Sequence, residues 1–521
     1  MIENQQFPFK KIFARYYGVG VALVFLLIST HTIINHEMWR DEIQAWLLVR
    51  DSASLFDLFR NLKHEVHPAL WYLCLMPLTR IFTSPSTMQI LHLLVATTAI
   101  FLFVKYSPFN KVQKILFSFG YFPFYEYSII SRNYALGMLL IFIFCTLFPK
   151  RHTKFTLIGV TLFLLSQTSL IALILVVVIS IFLFIDYKLS QKWIAKDQKI
   201  KKQQLWIGFT IIVLGIVTSI LQLIPPTDTG FAVGGHWTLD LNYLEKTLST
   251  VTQAFFPIPK QELHFWNTIA WQNNMFFPYI INFFTFFFIF WFIFGLLKKP
   301  ATLFLFLGCT LGILLSCFIA KFVGSIRHQG FLFIAFIMSA WIADYSKEVN
   351  WFTTSDSLRK IWKKTFSYSL TFILIVHVIS AIIAIKMDNQ YIFSSGKLVA
   401  EYIKSKDMAA MLMVGHTDYA TSTVVGYLAK DKIYYPNSER FGSYINWDNK
   451  RTSITNQQVI DRTNILSKQY NADVLIILNS ALSQNDIVNY GLVTLKSFTG
   501  SIVKDEDYYL YILPFTAKTK N

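Results

Sequence analysis

Two adjacent carboxylates, Asp41 and Glu42, follow the first long apolar run of the chain. Trp, Leu and Phe residues up to Phe59 come next, in an amphipathic pattern that predicts a segment lying in the plane of a membrane interface. Carboxylates held at such a fixed depth could take a proton from a hydroxyl group or bind a cation. Two acids in an arbitrary loop are simply solvated, so the role of this pair depends on its neighbours.

Two histidines, His64 and His67, lie three residues apart just before a predicted helix that opens at Pro68. Two histidines can ligate a metal ion, but a metal site needs at least a third ligand, and none is evident. We therefore favour hydrogen bonding at the interface for both.

Arg132 lies between two apolar runs, with Tyr134 shortly after it. An arginine in such a position is costly unless its side chain snorkels to the membrane surface or is used in function. Glu126 could pair with it, although a spacing of six residues is poor for one helix. Snorkelling and function both stay open.

Three potential cations, Lys321, Arg327 and His328, occur in a short segment that we expect on the outer side of the membrane. Such a cluster runs against the preference of basic residues for cytoplasmic loops. A bound phosphate would explain it, because the planar fork of Arg matches phosphate oxygens. Ordinary anchoring at the interface is the alternative.

We expect membrane helices to hold these residues in place. Of 521 residues, 54% are hydrophobic, 15% are charged and 50 are Phe, whereas soluble proteins are about a quarter charged. The net charge of +17 would suit nucleic acid, but the excess lies in short loops such as 186–204, where basic residues orient a membrane protein. We expect the lipid bilayer as a partner, and no nucleic acid.

Apolar runs predict an α-helical polytopic protein with about 11 to 13 transmembrane helices. The runs long enough to cross are Tyr16–Ile34, Met88–Val104, Ile115–Ile130, Tyr134–Phe148, Leu205–Ile224, Phe276–Leu297, Ala301–Ala320, Phe331–Ala343 and Phe366–Ile385. The run Phe155–Ile185 fits either two short helices joined by a polar turn or one strongly tilted helix. The helix predicted for His67–Phe82 crosses fully or only in part.

The first run is too long for a signal peptide and lacks a small-residue cleavage site, so we expect an uncleaved helix. The predicted parts are a cytoplasmic segment 1–15, a transmembrane catalytic domain 16–386 with outer loops 35–66 and 225–274, and an extracytoplasmic domain 387–521. All four Cys lie in apolar segments, and neither a disulfide framework nor a zinc spacing can be made from them.

The composition of the chain changes after about residue 395 to that of a soluble module. Helices and strands alternate there, which predicts a small α/β domain. The predicted helices are Lys397–Lys406, Asp418–Leu428 and Gln457–Tyr470, and the predicted strands are Ala410–Val414, Lys432–Tyr435, Ala472–Leu478, Leu492–Phe498 and Tyr508–Leu513.

The order of these motifs resembles that of the polytopic GT-C glycosyltransferases, in particular the protein O-mannosyltransferase and aminoarabinose-transferase group. The similarity covers roughly residues 10–385. The motifs that carry it are Trp39-Arg40-Asp41-Glu42, His67-Pro68-Ala69-Leu70, Tyr127-Ser128, Arg132 and Tyr134-Ala135-Leu136. Ile130 departs from the group, whose members often have an acidic residue there.

The resemblance implies transfer of a hexosyl or pentosyl group, with inversion, from a polyprenyl-phosphate carrier to an acceptor at the outer face. Asp41 would be the general base, and Glu42 would orient the acceptor or support Asp41. The donor phosphate would be bound by Arg132, Lys321, Arg327 and His328. His64, His67, Tyr134 and Glu126 would support the acceptor or the site.

Nothing in the sequence requires a cofactor, although a divalent cation stays open, and the acceptor could be a lipid, a glycan or a protein. Low use of Cys and the absence of organelle signals indicate a bacterial inner membrane, with the amino terminus inside and the carboxy terminus outside. Two other functions stay open. A transporter or flippase would show related halves and broken helices, which are not evident here, and a scaffold would have no activity.

Overall fold

The computed structural model describes residues 8–190, 200–230, 240–349 and 355–515, and the side chains from residue 16 onward. Helices up to residue 390 form one bundle. They are α1 (Pro8–Asn35), α2 (Arg40–Arg50), α3 (Leu55–Asn61), α4 (Leu70–Ile81), α5 (Ser86–Tyr106), α6 (Lys111–Ser118), α7 (Tyr134–Leu147), α8 (Phe155–Ser166), α9 (Leu170–Ser190), α10 (Lys202–Leu223), α11 (Leu241–Phe255), α12 (Phe277–Leu296), α13 (Pro300–Ile319), α14 (Ile326–Ala343) and α15 (Asp356–Gln390).

Within the described ranges, eight helices are long and apolar enough to cross a membrane. They are α1 from Tyr16, α5, α9, α10, α12, α13, α14 and α15, and the shorter apolar helices α4, α7 and α8 accompany them. About 65% of the described residues are helical. The polytopic helical architecture expected from the sequence is thereby confirmed.

One predicted span, Ile115–Ile130, is wrong. Helix α6 ends at Ser118, and a single π-helical segment, Tyr121–Glu126, follows it. Gly120 precedes that segment and Pro123 lies within it. Proline lacks the backbone N–H that a regular helix needs and clashes with the preceding turn. An apolar run can therefore be long enough to cross while its backbone is not one helix.

Two runs left open by the sequence are resolved. The run Phe155–Ile185 is divided at Gln167 into α8 and α9, and the Gln167 side chain donates to the backbone carbonyl of Gly215 on α10 at 2.9 Å. Helix α4 has only 12 residues, which is about 18 Å against a hydrocarbon core of about 30 Å. The predicted helix His67–Phe82 is thus too short to cross fully.

The predicted outer loop 225–274 contains a helix that the sequence analysis missed. Helix α11 packs against α14, and its residues Val251, Ala254 and Phe255 are buried. Its mixed composition of Thr, Lys, Glu and apolar residues resembles that of a loop. The apolar residues lie on one face, as expected for a helix that packs on its neighbours.

The carboxy-terminal part is the predicted α/β module. Its helices are α16 (Gly396–Ser405), α17 (Asp418–Leu428), α18 (Asn456–Tyr470) and α19 (Gln484–Tyr490), and its strands are β1 (Leu412–Gly415), β2 (Ile433–Tyr435), β3 (Arg440–Gly442), β4 (Val474–Leu478), β5 (Val493–Phe498) and β6 (Tyr508–Leu513). The strand order is β3-β2-β1-β4-β6-β5, and β1 is parallel to β2 and β4, whereas the outer pairings are antiparallel. Only the short elements α19 and β3 were not predicted.

The module sits directly on α2. Ile43 and Trp46 of α2 share a buried core with Val424 of α17 and Leu475 of β4. The carboxamide of Gln44 donates to the carbonyl of Ile445 at 2.8 Å and accepts from its N–H at 2.9 Å. The expectation that this part of the segment lies in the membrane interface is wrong, because the amphipathic face of α2 is covered by protein.

Candidate active site

Asp41 lies in the first turn of α2, where Arg132, from the bend before α7, and Arg327, from the start of α14, meet it. Its Oδ2 is 2.9 Å from an Arg327 Nη2 and 3.6 Å from Nη1 of Arg132. The Arg132 guanidinium also donates to the Asp41 backbone carbonyl. The Asp41 side chain is 24% exposed and both arginines are 11% exposed. The carboxylate therefore faces an opening, whereas the cations behind it are nearly enclosed.

The charge state of Asp41 follows from this pairing. Burial alone would raise the pKa of the Asp41 carboxyl, but the neighbouring Arg132 and Arg327 outweigh it and hold that pKa below its usual range. A nearby opposite charge favours the ionised form of a carboxyl group. Asp41 is a carboxylate in this state, and it is a weak base as long as both arginines face it.

Arg327 stands at the start of α14 between two indole rings. Its guanidinium carbon lies 5.3 Å from the ring centre of Trp39 and 5.4 Å from that of Trp266. Within the described ranges its Nε and Nη1 are buried and have no hydrogen-bond partner. A buried N–H group of a charged side chain is costly to leave without a hydrogen-bond partner. Arg327 therefore has two N–H-bearing nitrogens that can still bind an anion beside Asp41.

Arg132 also contacts the predicted histidine His67. Its Nη2 donates to His67 Nε2 at 3.1 Å. Burial, reinforced by the charges of Arg132 and Arg327, lowers the pKa of His67 to about 3. His67 is therefore a neutral acceptor that orients the guanidinium. The amide of Asn133 approaches the other ring nitrogen of His67 at 3.5 Å.

His328 and Tyr134 form a second pair beside the arginines. The Tyr134 hydroxyl lies 2.8 Å from His328 Nε2, and the Ser325 N–H donates to His328 Nδ1 at 2.9 Å. Gly324 allows this turn, since its φ is +70° and a Cβ there would lie 2.9 Å from the His328 Cβ. Both ring nitrogens of His328 are thus in use, which fixes its ring.

Glu42 points away from the opening. One carboxylate oxygen accepts from the backbone N–H of Ser131 at 2.5 Å. The other accepts from the backbone N–H of Trp39 at 3.2 Å and lies 3.2 Å from His36 Nε2. His36 in turn bonds through Nδ1 to Asp388 at the end of α15, at 3.0 Å. Glu42 is fully buried. It ties the first turn of α2 to three other segments and does not face the opening.

Glu126 does not pair with Arg132. One of its carboxylate oxygens accepts from the Tyr121 hydroxyl at 2.9 Å and from the Trp266 indole N–H at 3.1 Å. Within the described residues the other oxygen is buried without a partner. Glu126 thereby holds one of the two rings that enclose Arg327.

Two predicted site residues lie apart from Asp41. His64 bonds to Asp228 at 3.1 Å. The Lys321 ammonium lies over the rings of Phe318 and Tyr243, at 4.2 and 5.2 Å from their centres. Among the residues described, no group of three or more His, Cys, Asp or Glu side chains is arranged to hold a metal ion.

Several residues that shape the site were not predicted from the sequence. Trp266 comes from the loop 225–274, and His36 lies just before the motif that holds Asp41. Arg40, beside Asp41, bonds to Asp505 of the module, and its backbone N–H donates to Glu506 at 2.9 Å. The high Trp content of the outer loops was the one signal that could have indicated the aromatic enclosure.

No family model and no curated protein matches the chain. Among solved structures, the chain is similar to ArnT from Cupriavidus metallidurans bound to undecaprenyl phosphate, with a TM-score of 0.49 and 13% identity over 97% of this chain and 98% of that one. The apo state of ArnT gives a TM-score of 0.44 and 13% identity over 95% and 97% of the two chains. At this identity and these TM-scores, the similarity assigns no activity or residue role to the chain.

Proposed function

We propose that the protein is a membrane glycosyltransferase that moves a sugar from a polyprenyl-phosphate carrier to an acceptor hydroxyl, with Asp41 as the general base. One observation carries the proposal. A partly exposed carboxylate, Asp41, lies 2.9 Å from Arg327, whose remaining buried donors are unused among the described residues. This combination offers a proton acceptor and an anion-binding group side by side at the end of a membrane bundle.

The leaving group determines what the arginines would do. As the acceptor oxygen bonds to the anomeric carbon, the bond from that carbon to the phosphate oxygen breaks, and the electron pair leaves with the polyprenyl phosphate. Donors already aimed at the place where this charge develops are the largest single source of catalysis in many enzymes. Arg327 and Arg132 are the candidates for this role, and a fork-shaped guanidinium suits phosphate oxygens.

The same arginines would control the base. The acceptor hydroxyl loses its proton to Asp41 as it attacks, and attack from the face opposite the phosphate inverts the anomeric carbon. A good base has a pKa near the working pH, whereas Arg132 and Arg327 hold the pKa of Asp41 low. We infer that the donor phosphate takes over part of this pairing, so that Asp41 becomes more basic only when the donor is bound.

Neighbouring residues would position this pair. His67, neutral, holds the guanidinium of Arg132, and Tyr134 with His328 form the adjacent wall. Glu42 and His36 are positioning residues that fix the turn carrying Asp41. Trp266 brings the loop 225–274 over Arg327, which supports a role for that loop in covering the lipid carrier.

The test is turnover by the purified protein with a panel of radiolabelled polyprenyl-phosphate sugars in detergent. We expect one donor to be consumed by the wild type, and Asp41→Asn to lower turnover by about 10²- to 10⁴-fold while the variant remains folded at the assay temperature. Asp51→Asn is the matched control, because Asp51 lies at the other end of α2 and pairs with Arg50. Turnover of D41N equal to that of the wild type would remove Asp41 from the mechanism.

A further inference from the structure

A second charged cavity lies at the end of the bundle opposite Asp41. It has a volume of about 430 Å³ and is formed where the end of α12 and the residues that follow it meet the end of α14, the first turns of α15 and residues 108–113 at the start of α6. Arg327 and Ala343, near the two ends of α14, are 16 residues apart, which is about 24 Å along a helix. The cavity is therefore separate from the candidate active site and lies at the other membrane surface.

Basic side chains dominate the cavity wall. The charged lining residues are Lys298, Lys299, Arg359, Lys363, Asp344 and Glu348. Arg359 pairs with Glu348, and Lys299 donates to the backbone carbonyl of Ala343 at 2.5 Å. The four cations thus outnumber the two acids at a place enclosed by helix ends.

Two of these cations have no partner among the residues that the structure describes. Across the described ranges, neither the ammonium of Lys298 nor that of Lys363 makes a hydrogen bond, an ion pair or a ring contact. Lys298 lies in the turn after α12, and Lys363 lies about two turns into α15. Lysines that converge on one cavity from two segments repel each other unless an anion lies between them.

Another part of the cavity wall is formed by aromatic side chains. The Trp362 indole donates to the carbonyl of Trp291 at 2.7 Å and packs directly on the backbone of α12, since a Cβ at Gly295 would lie 1.8 Å from its ring. Phe292 and Phe366 stack below it at 5.4 Å between ring centres. Other Phe side chains of α12, such as Phe287 and Phe290, are exposed, so the apolar wall continues onto a face that meets lipid.

We propose that this cavity binds the headgroup of an anionic phospholipid, with Lys298 and Lys363 on its phosphate and the aromatic wall along its glycerol and upper acyl carbons. Basic pockets between membrane helices are suited to anionic headgroups, and the volume is in the range of small-molecule sites. Free phosphate shares the charged part of this chemistry, but it would leave the aromatic wall unused. The proposal does not depend on the activity proposed for the Asp41 site.

The test is binding of phosphatidylglycerol and phosphatidylcholine to the purified full chain, measured by native mass spectrometry. We expect K298Q/K363Q to bind phosphatidylglycerol about 10- to 30-fold more weakly than the wild type does, because each lysine near a charged headgroup contributes about fivefold. K360Q/K364Q is the matched control on the same helix α15, as neither residue lines the cavity. This control is expected to bind as the wild type does.

Three results would overturn the proposal. They are equal affinity of K298Q/K363Q and the control, equal affinity of the wild type for the two lipids, and displacement of phosphatidylglycerol by millimolar inorganic phosphate, which would identify free phosphate as the ligand. Thermal unfolding without lipid checks that the variants fold. If K298Q/K363Q does not fold, the salt dependence of wild-type binding decides, since a charged site weakens steeply with salt.

Discussion

Replacing Arg327 by Met tests whether the arginines set the basicity of Asp41. The Arg327 guanidinium lies 2.9 Å from Asp41, and a cation this close lowers the pKa of a carboxyl group by about 1 to 3 units. Removing it leaves burial opposed only by Arg132 and more distant charges, so the pKa of Asp41 must rise. Because the carboxylate is the active form, the acid limb of the pH–rate profile moves to higher pH.

The assay is kcat/KM for the lipid-linked donor as a function of pH, which reports the ionisations of the free enzyme. In R327M we expect the acid limb about 1 to 3 pH units higher than in the wild type. The plateau should fall about 10- to 150-fold through the lost charge-assisted hydrogen bond to phosphate. In the wild type, the acid limb of kcat should lie above that of kcat/KM, because bound donor competes for the arginines.

Arg50→Met is the control for this experiment. Arg50 lies on the same helix α2, and it pairs with Asp51 at 2.6 Å and donates to the carbonyl of Lys430 at 3.0 Å. Its removal should leave the acid limb in place. Loss of activity in R327M with an acid limb that stays at the wild-type pH would show that Asp41 is not the ionising group.

Four further predictions concern the surroundings of the site. Glu42→Gln should lower the free energy of unfolding by about 3–5 kcal/mol, seen as a lower Tm, because it breaks the buried pair with His36. Burial alone would lower the pKa of His36, but Asp388 and Glu42 raise that pKa well above its usual value. The Tm of the wild type should therefore fall as the pH rises through the raised pKa of His36. The fall should be smaller in H36Q. Tyr134→Phe should raise the KM for donor about tenfold by freeing His328, without changing Tm by more than a degree or two. Gly426→Val should destabilise the contact of α17 with α2 by about 1–3 kcal/mol because a Cβ there meets Ile43 at 2.4 Å, whereas Gly442→Ala, with neighbours only at 3.9 Å, should not.

The sequence order of the motifs predicted two of the charges that converge on Asp41. Arg132 and Arg327 meet it, because each lies at the end of an apolar run, and run ends collect at a membrane surface. Lys321 lies only six residues before Arg327 but is directed to Phe318 and Tyr243 instead. Hydropathy places residues at a surface of the membrane, but it does not tell which way a side chain points.

The burial of α2 could not be predicted for a related reason. An amphipathic face with Ile43 and Trp46 looks the same whether lipid or another protein surface covers it. The covering surface, around Val424, is more than 370 residues away in sequence. The same packing explains why Glu42 points inward. Glu42 lies on the side of the first turn of α2 that packs against protein, whereas Asp41 lies on the side that stays open.

The most direct test of the account is the affinity of the purified protein for a polyprenyl phosphate without sugar, measured by native mass spectrometry. If the guanidinium groups of Arg132 and Arg327 hold the carrier phosphate, R327M and R132M should each bind it at least about tenfold more weakly than the wild type, while R50M binds as the wild type does. Equal affinity in all four proteins would contradict the assignment of this site to a phosphate-linked lipid.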